Sequence, residues 1–192
     1  IMFPMISQVE EIIAAKRMLE EAAESLDKDG IPFKKDITVG AMIEVPSAVF
    51  MADVLAKEVD FFSLGTNDLI QYSFAIDRVN KHVADLYQPL DPAIIRMIKQ
   101  VADVSKDKGI GLFICGEMAA TPHHIPLLLG MGLDELSMNP QSIPQIKRVI
   151  RSLDVGDARS FVRKALKKKT ARGLFELTRE AFGETLAEVT FS

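Results

Sequence analysis

Cysteine is almost missing from this chain of 192 residues. The one thiol, Cys115, excludes any internal disulfide and fits a reducing cytoplasm. An excess of positive charge is missing too. The formal net charge is -4, which argues against nucleic acid as the main partner, because gripping a phosphate backbone calls for a net basic face. No uninterrupted apolar run is long enough to span a bilayer, so the sequence speaks against a membrane protein, and no signal peptide precedes the first element. An initiator Met is absent as well, and the chain opens inside an apolar run, Ile1 to Ile6. That opening reads as a buried strand, so the expectation is a fragment of a longer protein.

What is present is enough apolar material for a sizeable core, 48% of residues, with an ordinary 26% charged. Short apolar runs alternate with amphipathic stretches. Strands are expected at Ile1–Ile6, Val39–Val45, Phe61–Leu64, Gly111–Cys115 and Glu135–Met138. Ser7-Gln8-Val9-Glu10 has the form of a capping box ahead of the first helix. Further helices are expected from Pro46 to about Lys57, from near Asn67, from Asp91-Pro92 to Gly109, from Thr121-Pro122 to the Gly130–Gly132 turn, and over about Ser142–Leu153. A long irregular stretch separates Asp77 from Leu90. Strand and helix thus alternate five times, the signature of a parallel α/β sheet; periodicity alone leaves open a doubly wound sheet or part of an eight-stranded barrel.

The character changes after Leu153. Two helices, about Asp157–Lys168 and Ala171–Phe182, make a helical extension, so the chain divides into residues 1–153 and 154–192. Ala158–Gly173 carries seven basic residues and no acidic one, which reads as a solvated or docking surface or as a site for an acidic partner.

Chemistry-bearing residues gather at the carboxyl ends of the strands, where parallel α/β folds build their sites. Glu44 ends the second strand, Asn67 and Asp68 follow the third, Cys115 ends the fourth and Asn139 follows the fifth. A carboxylate just after an apolar run is costly unless paired or metal-bound. Glu44 and Asp68 could therefore hold corners of a magnesium ion or serve as helix caps and salt bridges. Gly65-Thr66-Asn67-Asp68 suits a backbone cradle for phosphate or a plain strand–turn–helix junction. Cys115, followed by Gly116-Glu117-Met118, is a candidate proton donor or nucleophile, or else a small core residue. Arg78 could clamp a phosphate or carboxylate, or pair with Asp77. His82, His123 and His124 lack metal-ligand spacing, and the last two read as surface or packing residues.

Together these segments resemble the phosphoenolpyruvate-utilising enzymes. The match lies in Gly40-Ala41-Met42-Ile43-Glu44-Val45-Pro46, Val59 to Leu69 with its Gly65-Thr66-Asn67-Asp68, Ala75-Ile76-Asp77-Arg78, and Cys115-Gly116-Glu117-Met118, with the opening Ile1-Met2-Phe3-Pro4-Met5. It covers about residues 1–153, and four blocks in order are a specific signal. The Cys-Gly-Glu-Met and Ile-Asp-Arg blocks look more like the phosphoenolpyruvate–protein phosphotransferases, the enzyme I group, than like pyruvate phosphate dikinase or phosphoenolpyruvate synthase. The resemblance implies about the last five of the eight strands of a (β/α)8 barrel. It implies Glu44 and Asp68 as magnesium ligands, Asn67, Asp68 and Arg78 as substrate-binding residues, and Cys115 as the catalytic proton donor to the enolate. It also implies transfer of the phosphoryl group of phosphoenolpyruvate to a histidine, and on to the carrier protein HPr through an amino-terminal domain, with release of pyruvate from a cytoplasmic homodimer. The family's Gly-rich Thr-Ser-His motif does not occur here. The isolated chain is accordingly expected to be inactive. The remaining alternative is a truncated, non-catalytic paralogue used in dimerisation.

Overall fold

The computed structural model describes residues 1–78, 80 and 82–190. Five strands, β1 (Met2–Phe3), β2 (Gly40–Ile43), β3 (Phe61–Gly65), β4 (Gly111–Cys115) and β5 (Glu135–Ser137), form one sheet in the order β1-β2-β3-β4-β5. Every neighbouring pair is parallel. Each crossover therefore steps to the next position in the same direction, with no reversal of strand order. A doubly wound sheet reverses at a switch point; an arc of a (β/α)8 barrel does not, and this sheet is such an arc.

The two faces differ as that geometry demands. Ala41, Ile43, Phe62, Leu64, Leu112 and Ile114 are all at most 2% exposed and pack under the helices. Met42, Phe61, Phe113 and Cys115 alternate with them, on the inner face, and are half-buried. At the amino end of that face Phe61 and Phe113 lie with ring centroids 5.1 Å apart. Gly40 makes room for them: a Cβ there would lie 2.2 Å from the Phe61 ring.

The helices are α1 (Val9–Lys28), α2 (Pro46–Phe50), α3 (Ala52–Leu55), α4 (Thr66–Phe74), α5 (Pro92–Lys108), α6 (Ile125–Met131), α7 (Ile143–Ser152), α8 (Val155–Ala165) and α9 (Ala171–Thr190). α5 begins and ends as its sequence dictates. Asp91 Oδ1 accepts from the Ala93 amide at 2.8 Å, Pro92 opens the first turn, and Gly109 ends the helix at φ 69°.

Several local expectations need correction. The first strand stops at Phe3 because Met5 turns to φ 57°. The acidic member of the first cap is Glu11, not Glu10: its Oε2 accepts from the Ser7 and Gln8 amides at 2.7 and 3.1 Å. The helix expected over residues 46–57 breaks at Met51, and the Val49 carbonyl is taken instead by Gln100 Nε2 of α5 at 3.1 Å. The segment expected to open one helix at Thr121-Pro122 is a 3-10 turn, Pro122–His124, leading into α6.

α8 and α9 lie against the outer layer. α8 crosses α6 so closely that a Cβ on Gly130 would sit 2.2 Å from the Ala158 carbonyl oxygen. Leu174, Phe182 and Leu186 of α9 join the core, and Phe161 meets Phe182 edge-on at 5.2 Å.

Candidate active site

Strand register sets the row of residues at the carboxyl rim. Gly65, Cys115 and Ser137 are lateral partners on β3, β4 and β5, and Glu44 follows Ile43, the partner of Leu64. The four thus share one layer of the inner face. Gly65 is required there, because a Cβ would lie 2.4 Å from Glu44 Oε2. The carboxylate of Glu44 lies across β3 where any other residue would project.

Glu44 is 3% exposed. Its Oε1 accepts from the Met5 amide at 2.7 Å, which is what the left-handed turn at Met5 achieves. Burial pushes its carboxyl pKa up; the Met5 N–H opposes this, and the charge of Asp68, with a hydrogen bond between the two carboxyl groups, pushes it further up. Asp68 stands in the first turn of α4. Among the described residues neither carboxylate has a Lys or Arg ion-pair partner.

Such a pair lacks a counter-charge, and its hard oxygen donors suit a divalent cation such as magnesium. No group of three or more His, Cys, Asp or Glu among the described residues could enclose a metal. A cation here would take most of its coordination from substrate and water, as magnesium commonly does.

Cys115 faces the same rim, half-buried. Ser63 Oγ donates to its sulfur at 3.7 Å and the thiol donates to the Leu64 carbonyl at 3.5 Å. Burial raises its pKa, the Ser63 bond works against that, and the negative charges of Glu44 and Asp68 raise it again. The group is held as a protonated thiol at neutral pH, suited to giving a proton rather than attacking as thiolate.

Asn67 and Gly116 join β3 to β4 above this layer. Gly116 has φ 110°, and a Cβ there would lie 2.6 Å from Thr66 Oγ1 and 3.0 Å from Asn67 Oδ1. Thr66 Oγ1 donates to the Cys115 carbonyl at 3.1 Å. Asn67, Cys115, Glu117, Ser137 and Asn139 line a cavity of about 540 Å³ that opens at the rim. Asn139 is committed locally, its Oδ1 accepting from the Ser142 amide at 3.0 Å.

Arg78 is exposed at the head of the irregular segment, where its amide donates to Gln71 Oε1 at 3.4 Å. Its charge reaches Tyr87. Tyr87 escaped sequence reasoning: its hydroxyl donates to Asn67 Oδ1 at 3.1 Å. Burial, then the charge of Glu117, push that hydroxyl up to about 12, against the influence of Arg78. Met5 and Ser63 were missed as well. A backbone amide carries no signal in sequence, and the inward side of Ser63 needed only the alternation of β3 to be seen.

The histidines stay out of the cavity lining. His124 is buried, and burial holds it down at about 4; His123 stacks on Phe175 at 5.4 Å. Both are packing residues, as their sequence context suggested.

A barrel arc whose carboxyl rim carries two neighbouring carboxyl groups, a protonated thiol and a cavity lined in part by Asn67 and Asn139 has the layout of a (β/α)8-type ligand site. Comparison with known proteins places the chain within that class. The chain belongs to the PEP-utilising enzymes: residues 1–155 match the model of their PEP-binding domain. It is similar to a phosphoenolpyruvate-protein phosphotransferase of Staphylococcus carnosus, 46% identical over 94% of this chain and 31% of the relative. The proteins of the same name from Haemophilus influenzae and Bacillus subtilis are each 47% identical, over 94% and 95% of this chain and 31% and 32% of their own lengths. The chain thus spans about a third of the curated relatives it matches.

Proposed function

We propose that this chain is the substrate-binding part of a phosphoenolpyruvate–protein phosphotransferase. The observation that carries the reading is the buried Glu44 carboxyl group beside half-buried Asp68, with no Lys or Arg ion-pair partner among the described residues and the protonated thiol of Cys115 at the same rim. Glu44 and Asp68 would hold a magnesium ion, which when bound would supply Lewis-acid stabilisation of the phosphoryl charge. Asn67 and Asp68 contact the phosphoryl group, and Arg78 closes on it from the irregular segment.

The phosphoryl group leaves phosphoenolpyruvate for a histidine nitrogen supplied from outside this chain. The bridging P–O bond breaks, a P–N bond forms, and the electron pair stays on the enolate oxygen. Cys115 then gives its proton to the methylene carbon, and the enolate becomes pyruvate. HPr accepts the phosphoryl group from that histidine. Residues 1–153 form the barrel portion, residues 154–192 an added helical extension, and the protein works as a cytoplasmic homodimer. The names of the similar proteins favour this reading over a dikinase, a synthase or a non-catalytic paralogue.

Calorimetry on the full-length parent tests it. Phosphoenolpyruvate should bind with magnesium and lose most of its affinity without it. A Cys115→Ala variant should bind comparably, while pyruvate release falls by about 10²–10⁴-fold, the usual contribution of a positioned acid. Unchanged pyruvate release in that variant, or binding indifferent to magnesium, would refute the assignment.

A further inference from the structure

Asn67 is held in an uncommon way for a residue at a cavity wall. Its Oδ1 accepts two hydrogen bonds, from Tyr87 Oη at 3.1 Å and from the Glu117 amide at 3.2 Å. The second bond identifies the acceptor atom as the carboxamide oxygen, because a backbone amide can only donate. The Tyr87 hydroxyl must then donate to the same oxygen. The Asn67 amide nitrogen has no hydrogen-bond partner among the described residues, and it is not sealed away as an unsatisfied buried atom. It belongs to a residue that lines the 540 Å³ cavity.

We propose that Tyr87 is a positioning residue acting through Asn67: its hydroxyl holds the carboxamide oxygen against the protein, so that the NH₂ group is offered to the anionic oxygens of the phosphorylated substrate. This rests on the phosphoenolpyruvate reading above. Were the amide free to turn, its oxygen would face the phosphoryl group as often as its nitrogen, and an acceptor opposite an anion is repelled. Glu117 supplies one restraint from the 3-10 turn that follows β4 and Tyr87 a second from the irregular segment, so the amide is clamped between two parts of the chain. Tyr87 also ties to the rim the same segment that carries Arg78. The high pKa of the phenol keeps the donor protonated through the physiological range. Nothing about a tyrosine in a stretch without periodicity would mark it for this role.

The test is a double-mutant cycle in the full-length parent with Tyr87→Phe, Asn67→Ala and the pair. Tyr87→Phe keeps the packed ring and removes only the donor. It should raise KM for phosphoenolpyruvate by about 3–10-fold, the worth of one oriented hydrogen bond, with kcat changed much less. In the Asn67→Ala background the same substitution should change KM by less than about 2-fold, because there is no amide left to orient. An unchanged KM in Tyr87→Phe, or the same fold-loss in both backgrounds, would overturn the proposal. A ligand-free readout separates this from the functional reading. In nitrogen-edited NMR spectra the side-chain amide pair of Asn67 should move or broaden in Tyr87→Phe, and an unmoved pair overturns the positioning role. If the parent shows no phosphoenolpyruvate-dependent transfer at all, the functional reading fails, while the amide resonances still decide on Tyr87.

Discussion

Glu44 is buried on the inner rim with one backbone amide to support its charge and a second carboxyl group beside it. Its pKa in the folded state is raised, so folding favours the protonated form. The stability this contributes is present at low pH and is lost as pH rises through the folded pKa; above it, the buried charge is a cost. Glu44→Gln removes that cost and keeps an oxygen for the Met5 amide. The variant should melt higher than the parent at pH 8, by roughly 2–4 °C for each kcal/mol relieved. The gap should close towards about pH 4, near the unfolded carboxyl value, and magnesium-dependent binding should weaken. Equal melting temperatures across that range would remove the electrostatic account. At this scale the sequence was legible where a residue type coincides with a strand end. Glu44 and Cys115 stand at strand ends behind apolar runs, Asp68 follows in the first turn of α4, and the shared direction of the parallel strands brings all three to one rim. Tyr87 and the Met5 amide were not legible, because each reaches the site by a turn of irregular backbone that no spacing rule describes.

Elements were read well where local chemistry and tertiary packing agree. β4 runs over the residues its apolar pattern marks, and α5 has its Asp91 cap, Pro92 and Gly109 in place. They were misread where packing overrides propensity. No breaker lies between Pro46 and Lys57, yet the helix is interrupted at Met51, where a side chain from α5 takes a backbone carbonyl. α9 runs on to Thr190, past Phe182, because Phe182 and Leu186 both find the core. α6 and α8 meet backbone to backbone at Gly130. Gly130→Ala would press a methyl group onto the Ala158 carbonyl, backbone against backbone, with no flexible side chain to yield. The expected loss is about 1–3 kcal/mol, read from the urea midpoint, as for an overpacked core. A variant as stable as the parent would show that α8 can shift on α6 at little cost.

For the whole molecule, the arc of five strands sets carboxyl groups, a thiol and carboxamides at one rim and, among the described residues, no imidazole beside them. His124 is buried, His123 is stacked on Phe175, and no histidine lines the cavity. The chain by itself should form no phosphohistidine when incubated with phosphoenolpyruvate and magnesium; an acid-labile phosphoryl group on it, detected by mass spectrometry, would contradict the division of labour proposed here. The direction of the sheet was the one architectural choice the strand-and-helix rhythm left open, because both candidate folds share that rhythm. Strand order decides it, and order is a property of long-range pairing.

The tilted rings of Phe61 and Phe113 give the inner face two unlike ends. They lie at the end away from Glu44 and Cys115, with Gly40 leaving room for the Phe61 ring. Aromatic hydrocarbon offers a charged guest nothing to replace its hydration, so the amino end of the arc turns such a guest away and the polar carboxyl rim is left as its landing place.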